Sequence, residues 1–315
     1  MRNFALTGVA GYIAPRHLKA IEDTGHRLVA ALDPSDSVGI LDSCFPDCAF
    51  FTEYERFDRH LEKLKRKTED ERVHYVSICS PNHLHDAHIR TALRVGADAL
   101  CEKPLVLNPW NLEALQELEA ETGRRVWTVL QLRAHPTLAE LKRRLDAERP
   151  TGKHDVDLTY VTARGEWYLR SWKGALEKSG GIATNIGVHF FDLLVWLFGP
   201  VERLETHVST PRTCAGHLEL ARARVRWFLS IDLAHVPAER RSRGERTWRS
   251  MELDGSEVEF SDGFTDLHTE VYRRTLAGEG FGIQESRAAI DIVHRIRTQE
   301  PSGPGPDSHP LLRPA

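Results

Sequence analysis

Cysteine is scarce in this sequence. Five residues among 315 (Cys44, Cys48, Cys79, Cys101 and Cys214) form no regularly spaced, even set of the kind that staples a small secreted domain. Cys79 and Cys101 lie in apolar, strand-like runs, so the chain reads as reduced. An excess of one charge is missing too. Lys and Arg number 42 against 46 Asp and Glu, a formal net charge of −4, so no basic field recommends nucleic acid or a membrane surface as a partner. The longest apolar run, Phe190 to Phe198, carries Asp192 inside it and falls short of the ~20 residues that span a bilayer. Met1-Arg2-Asn3-Phe4 leads directly into a glycine turn, without signal-peptide architecture. No internal repeat is visible. These absences set the expectation of a cytoplasmic, enzyme-sized protein with no nucleic-acid or membrane partner.

What is present is ordinary globular material, 41% hydrophobic and 28% charged, a balance that argues against disorder. The length suggests two domains. Over the first 130 residues, short apolar runs alternate with amphipathic segments. Strands are expected at Phe4-Ala5-Leu6, Leu28 to Asp33, Tyr75 to Cys79, Ala99-Leu100-Cys101 and Val126 to Leu132. Helices are expected at Pro15 to Thr24, Phe57 to Glu69, His85 to Val95 and Pro109 to Thr122. This alternation predicts a parallel sheet covered by helices on both faces. Beyond about residue 150 the period changes to two: Ala221, Ala223, Val225, Trp227, Leu229 and Ile231 alternate with Arg222, Arg224, Arg226, Phe228, Ser230 and Asp232. That pattern predicts a half-buried antiparallel strand, with weaker versions at Val156 to Tyr160 and Val201 to Val208 and helices at Gly187 to Phe198 and Glu285 to Arg297. The fold class expected is an α/β Rossmann domain over residues 1–132, then an α+β domain with an open, mostly antiparallel sheet over 133–298. The Pro- and Gly-rich tail, 299–315, is expected to be disordered.

Three constellations could carry chemistry. Gly8-Val9-Ala10-Gly11-Tyr12-Ile13-Ala14 lies between a strand and a helix, where glycines admit a pyrophosphate and a helix start supplies N–H donors. Its spacing is not the usual G-x-G-x-x-G, but Asp33 closes the next strand, where a carboxylate can bind ribose hydroxyls and repel a 2′-phosphate. Glu102-Lys103-Pro104 follows a buried strand, so Lys103 belongs to the carboxyl edge where parallel sheets bind ligands. Asn185 and His189 are four apart in Ser179 to Asp192 and would share a helix face. A histidine near neutrality can take a hydroxyl proton as hydride leaves the same carbon. Two further groups favour plainer readings. His83, His85 and His88 follow a strand turn without an acidic partner, which argues against a metal site. Arg240, Arg241, Arg243, Arg246 and Arg249 read as a solvated loop, with an anion site as the sharper alternative.

Together these segments resemble the glucose–fructose oxidoreductase/inositol dehydrogenase (Gfo/Idh/MocA) family over residues 3 to about 298. Within it they are most similar to UDP-N-acetyl-2-amino-2-deoxyglucuronate (UDP-N-acetylglucosaminuronate) 3-dehydrogenases. The stretches that carry the resemblance are Gly11 to His17, Ser80 to Asp86, Gly180 to Asp192 and Phe264 to Thr269. The resemblance implies that Gly8, Ala10, Gly11, Tyr12, Ile13 and Asp33 hold NAD, with Ser80, Pro81, Asn82, His85, Glu102 and Lys103 along its ribose and nicotinamide. It implies Lys103 and His189 as the catalytic pair, and Trp172, Lys173, Ser179, Thr184 and Asn185 beside them on the substrate side, with no metal. Many relatives carry aspartate at the position of Asn185, so a carboxylate–histidine relay is not expected and Asn185 would hydrogen-bond the sugar.

The implied reaction is NAD-dependent oxidation of the sugar C3 hydroxyl, in synthesis of diacetamido-uronic acid for lipopolysaccharide O-antigen or other surface polysaccharide. In some members of the subgroup 2-oxoglutarate reoxidises bound NADH. A homo-oligomer, specifically a homotetramer, is expected, with the sheet around Ala221 to Ile231 at its interface. A dehydrogenase of free sugars or polyols and a non-catalytic NAD-binding regulator remain the alternatives.

Overall fold

The computed structural model describes residues 1–148, 152–260 and 266–312. The chain divides into two compact units, formed by the described residues of Met1–Ala134 with Thr265–Arg287 and of His135–Phe264 with Ala288–Ala315.

The first unit is built on six parallel strands: β1 (Asn3–Thr7), β2 (Arg27–Leu32), β3 (Ala49–Phe51), β4 (Tyr75–Ile78), β5 (Asp98–Cys101) and β6 (Val126–Thr128), in the order β3-β2-β1-β4-β5-β6. The whole of β1 is buried, as a central strand covered on both faces must be. The order reverses between β1 and β4, the switch point outside which doubly wound sheets bind nucleotides. The helices also bring polar residues into the interior. In Ala14–Asp23 the buried stripe is Ala14, His17, Leu18 and Ile21, and in His85–Arg94 it is His85, His88, Ile89 and Ala92. Both follow the i, i+3, i+4, i+7 spacing of an inward helical face, so three histidines occupy core positions.

Residues Leu267–Leu276, which the expected boundary at 133–298 put in the second domain, form a helix of the first unit. Its buried Tyr272 packs 5.7 Å from Phe4 and from His17, ring centroid to ring centroid. Period alone could not show this return, because an amphipathic helix specifies a buried face and not the sheet that covers it.

The second unit carries β7 (His154–Thr162), β8 (Val201–Ser209), β9 (Thr213–Leu220), β10 (Ala223–Ser230), β11 (Thr247–Leu253) and β12 (Ser256–Glu257), in the order β12-β11-β7-β10-β9-β8. Strand β10 pairs antiparallel with β9 but parallel with β7, and the other pairings are antiparallel. The expected half-buried antiparallel strand is therefore the centre of a mixed sheet. One face meets the apolar helix Val188–Phe198, where Phe191 stands edge-on to Trp227 at 5.2 Å. Leu176–Phe198 is apolar and long enough to cross a membrane by length and composition, longer than the run read from sequence, yet 72% of its most apolar window is buried in the fold.

On the opposite face Phe228, the out-of-phase residue of the alternation, is buried too. Val236, Trp248 and His235 pack there, and the tail joins them. Ser302 donates its N–H to the Thr206 carbonyl (2.9 Å), Ser308 meets His207 (3.0 Å), and His309 meets Thr159 (3.0 Å) and lies 5.4 Å from the Phe228 ring. Within the tail, where disorder was expected, Ser308 and His309 are buried against the sheet. Prolines and glycines weaken regular structure but do not prevent docking once side chains such as Ser308 and His309 find buried partners.

Candidate active site

The nucleotide end of the first unit begins at Gly8. Its φ of +84° is one that glycine adopts without penalty, and a Cβ there would lie 2.6 Å from the Cys79 carbonyl group. The turns after β1 and β4 can approach this closely only with glycine. Asp33 closes β2, accepting the Ala10 N–H on Oδ2 (3.0 Å) and the Ser35 N–H on Oδ1 (2.9 Å). A carboxylate has about four acceptor positions, so two fixed backbone donors orient the group and leave capacity for a diol. Of the other residues assigned to this end, Ala10 and Tyr12 are exposed, Tyr12 to 93%, while Gly11 and Ile13 are half-buried. This open glycine turn with an oriented acid fits a dinucleotide.

The turn after β4 is locked from beneath. Ser80 and Asn82 are buried and Pro81 is half-buried. The buried ring of His85 spans two turns, its Nδ1 2.7 Å from the Pro104 carbonyl and its Nε2 2.8 Å from the Ser80 carbonyl. Both nitrogens face backbone carbonyls, and a neutral ring, with one N–H, donates to one of them at a time. Burial draws its pKa below the ordinary value, against the pull of the two carbonyls and of Glu102. His88 Nδ1 lies 2.9 Å from the Ser80 hydroxyl and 3.1 Å from that of Thr7, and the ring stacks on Tyr54 at 5.3 Å. Burial draws its pKa down to about 4, helped by repulsion from His85 and His83.

Glu102 follows β5, and its carboxylate also turns inward. His17 and His268 each place Nε2 3.0 Å from Oε1, and the Lys103 N–H donates to Oε2 at 3.2 Å. Nδ1 of His268 is buried with no partner, which puts that ring's proton on Nε2. Nδ1 of His17 accepts from Tyr272 (2.8 Å), whose oxygen lies 2.6 Å from Ser77 Oγ. Burial alone would raise the Glu102 carboxyl, but the hydrogen bonds from His17 and His268 outweigh it and hold the group well below the usual carboxylate range. Burial likewise lowers His17, so the network is an ionised carboxylate fed by imidazole N–H groups. Among the described residues His17, Glu102 and His268 form the one set of potential metal-ligand atoms within 4.8 Å of one another. Lys103 itself is half-buried and joined to Pro104 by a cis peptide.

In the second unit a π-helical turn, Ala183–Gly187, leads into the helix Val188–Phe198. From Ile182 to Phe190 only Asn185 and His189 are partly exposed, so the two expected partners do share an accessible face, across a junction that spacing did not reveal. Asn185 Nδ2 donates to the Tyr168 hydroxyl at 2.5 Å, and the His189 ring stands edge-on to Tyr160 at 6.0 Å. Ser179 and Thr184 are fully buried. Ser179 Oγ donates to the Ala175 carbonyl and accepts from the Gly181 N–H, the work of a local cap. Lys173 Nζ lies 4.4 Å from the Trp172 ring centroid and 5.7 Å from that of Trp167. Burial, then Arg164, lowers its pKa. The arginine stretch is partly self-neutralised, since Arg240 and Arg243 both bind Glu245 at 2.7 Å.

Sequence reasoning assigned no role to His17, His268, Tyr272, Tyr168 or Trp167. The first two sit inside the stretches Gly11 to His17 and Phe264 to Thr269, which was the available signal. Phe264 and Thr265 of the latter lie outside the described residues.

Family models match both parts of the chain: an oxidoreductase-family NAD-binding Rossmann fold over residues 2–130 and the oxidoreductase-family C-terminal alpha/beta domain over residues 152–288. The WlbA (WbpB) dehydrogenase of Thermus thermophilus, solved with NAD and α-ketoglutarate and with NAD and UDP-GlcNAcA, is 60% identical. It is covered over 99% of this chain and 100% of that one, with a TM-score of 0.95. The WlbA dehydrogenase of Bordetella pertussis, solved with NADH and UDP-GlcNAcA, shares the fold at 20% identity, with coverage of 94% and 95% and a TM-score of 0.75. The D-glucoside 3-dehydrogenase of Escherichia coli is 28% identical over 149 residues, 44% of this chain and 41% of that protein. The matched region spans less than half the length of the first curated relatives. With both domain models matched and the NAD-binding fold in place, the chain belongs to the Gfo/Idh/MocA oxidoreductase family.

Proposed function

We propose that the protein is an NAD-dependent dehydrogenase that oxidises the C3 hydroxyl of UDP-N-acetylglucosaminuronate to the 3-keto sugar. The observation that carries this reading is 60% identity over the full chain to a dehydrogenase solved with NAD and UDP-GlcNAcA. The C3 position is supported by the more distant relative named for 3-dehydrogenation.

Gly8, Gly11 and Asp33 hold the dinucleotide in this reading, with Ala10, Tyr12 and Ile13 beside them and the Ser80–Asn82 turn along its ribose. NAD supplies the hydride acceptor when bound. His189 takes the hydroxyl proton as general base, a role suited to a half-buried imidazole with an accessible face. Lys103 orients the hydroxyl and stabilises developing negative charge on its oxygen. Asn185, held by Tyr168, is a neutral donor to the sugar and not a charge partner for His189. Trp172 and Lys173 line the substrate side, where a cation favours an acidic sugar nucleotide. Ser179 and Thr184 act from beneath, since both are buried.

The structure of the Thermus relative with α-ketoglutarate supports reoxidation of NADH by that acid in the same site. We further place the enzyme in the cytoplasm, as a homotetramer, in synthesis of diacetamido-uronic acid for O-antigen. Stopped-flow NADH formation with UDP-N-acetylglucosaminuronate, UDP-N-acetylglucosamine and free inositol tests the substrate. The uronate should lead the neutral sugar nucleotide by about tenfold to hundredfold, the value of one charge-assisted contact. Equal rates, or activity on the polyol alone, overturn the assignment. Light scattering tests the tetramer, which a monomer at micromolar concentration would refute.

A further inference from the structure

We propose that Glu102 and His85 are positioning residues that fix the backbone of Lys103 from both sides. The inference deepens the proposed function, resting on its assignment of Lys103 to the reacting hydroxyl. On one flank the Lys103 N–H donates to Glu102 Oε2 (3.2 Å); on the other, the carbonyl of the next residue, Pro104, meets His85 Nδ1 (2.7 Å). Each anchor is anchored in turn. Oε1 of Glu102 is held by His17 and His268 at 3.0 Å, and the His85 ring sits between the Pro104 carbonyl and that of Ser80, 2.8 Å from Nε2, with one N–H to give.

Glu102 and His85 are 6% and 1% exposed and His17 is fully buried, so water cannot replace a lost partner and the cost falls on the turn. The carboxylate is the necessary group. Among the described residues every hydrogen-bond partner of Glu102 is an N–H group, and only an ionised acid accepts at both oxygens without a proton of its own to place. An amide in its place must present its NH₂ either to the Lys103 N–H or to the two imidazole N–H groups. His268 and Tyr272, four apart on one helix face, thus link a distant segment of the chain to the lysine. Displacements of ~1 Å at a reacting group cost up to about 10²-fold, so a supporting shell of this kind is what a catalytic lysine on a turn requires.

The decisive variant is Glu102→Gln in the full chain, measured in three ways. Single-turnover NADH formation from UDP-N-acetylglucosaminuronate should slow about tenfold to hundredfold, with KM and the dissociation constant of NAD each within about threefold. Amide hydrogen exchange in a peptide containing Lys103 should accelerate at least about tenfold while β4 peptides are unchanged, a readout independent of substrate identity. His268→Gln, which leaves the Lys103 contact in place, should give a smaller loss, about threefold to tenfold, and it carries the test if Glu102→Gln does not fold.

A folded Glu102→Gln enzyme with unaltered single-turnover rate or unaltered Lys103 exchange overturns the proposal. So does a rate loss matched by an equal loss of NAD affinity, which would make Glu102 a cofactor contact. One equivalent of metal per chain in the purified protein, by elemental analysis, would replace the hydrogen-bond network with a His–Glu–His centre. A wild type that makes no NADH from the uronate defeats the substrate assignment alone, because the exchange measurement still decides the positioning one.

Discussion

At the carboxyl edge of the first sheet, His85, His88 and Glu102 spend polar atoms on backbone groups or on other buried side chains, and Asp33 commits part of its carboxylate to backbone N–H groups. In the second unit, Asn185 and His189 are the partly exposed members of a run that is otherwise buried. The first arrangement is a frame: its side chains set where turns lie, and water has no access to repair a loss. The second presents functional groups from a rigid, apolar helix. Sites built this way separate holding from reacting, and substitutions should separate in the same manner.

The largest effect should come from the presenting side. His189→Ala removes the proposed base from a partly exposed position and should lower turnover about 10²–10⁴-fold while NAD affinity stays within about twofold. Near-normal single-turnover oxidation by this variant would remove the base role and erase the contrast between the regions.

Next is the acid sensitivity of the frame. His88 titrates near 4 when folded and near 6.5 when unfolded, so the unfolded chain binds the extra proton first. The stability this imidazole contributes is complete above pH 6.5 and is lost as pH falls from 6.5 toward 4. The gap corresponds to roughly 3 kcal/mol. His88→Gln keeps a polar group facing Ser80 and Thr7 and cannot titrate, and should flatten that slope in denaturant titrations at pH 7 and pH 4.5. An unchanged slope would show that other groups govern the acid limb.

Asp33→Ser should weaken NAD binding about tenfold to hundredfold, the loss of a charge-assisted pair of bonds, while narrowing the preference over NADP. Titration with both cofactors decides, and tighter NADP binding by the unaltered protein would refute the assignment of Asp33. The smallest effect belongs to Tyr12→Ala. At 93% exposure the ring contributes little to the fold, so unfolding free energy should move less than about 0.5 kcal/mol, and any change in NAD affinity tests its proposed place beside the cofactor.

Much of this was legible in the chain. Alternation of apolar runs and amphipathic helices requires a parallel sheet, and Gly8, Asp33 and the residues after β5 fall on its carboxyl edge because side-chain period and strand polarity are local properties. The four-residue spacing of Asn185 and His189 was similarly readable, although the π-helical turn between them was not. Three things escaped: the parallel pairing of β10 with β7, the burial of Phe228 beneath the tail, and the return of Leu267–Leu276 to the first unit.

The sequence by itself therefore determined the kinds of element, the glycine turn with its acid, and the candidate lysine and histidine, since each depends on neighbours a few positions away. Only the tertiary structure decided that Glu102 and His85 face inward. A glutamate beside a lysine looks the same in sequence whether it meets a ligand or a buried imidazole. Its direction is set by His17 and His268, 85 and 166 positions distant, and contacts at that range are fixed by packing of the whole unit, not by local pattern.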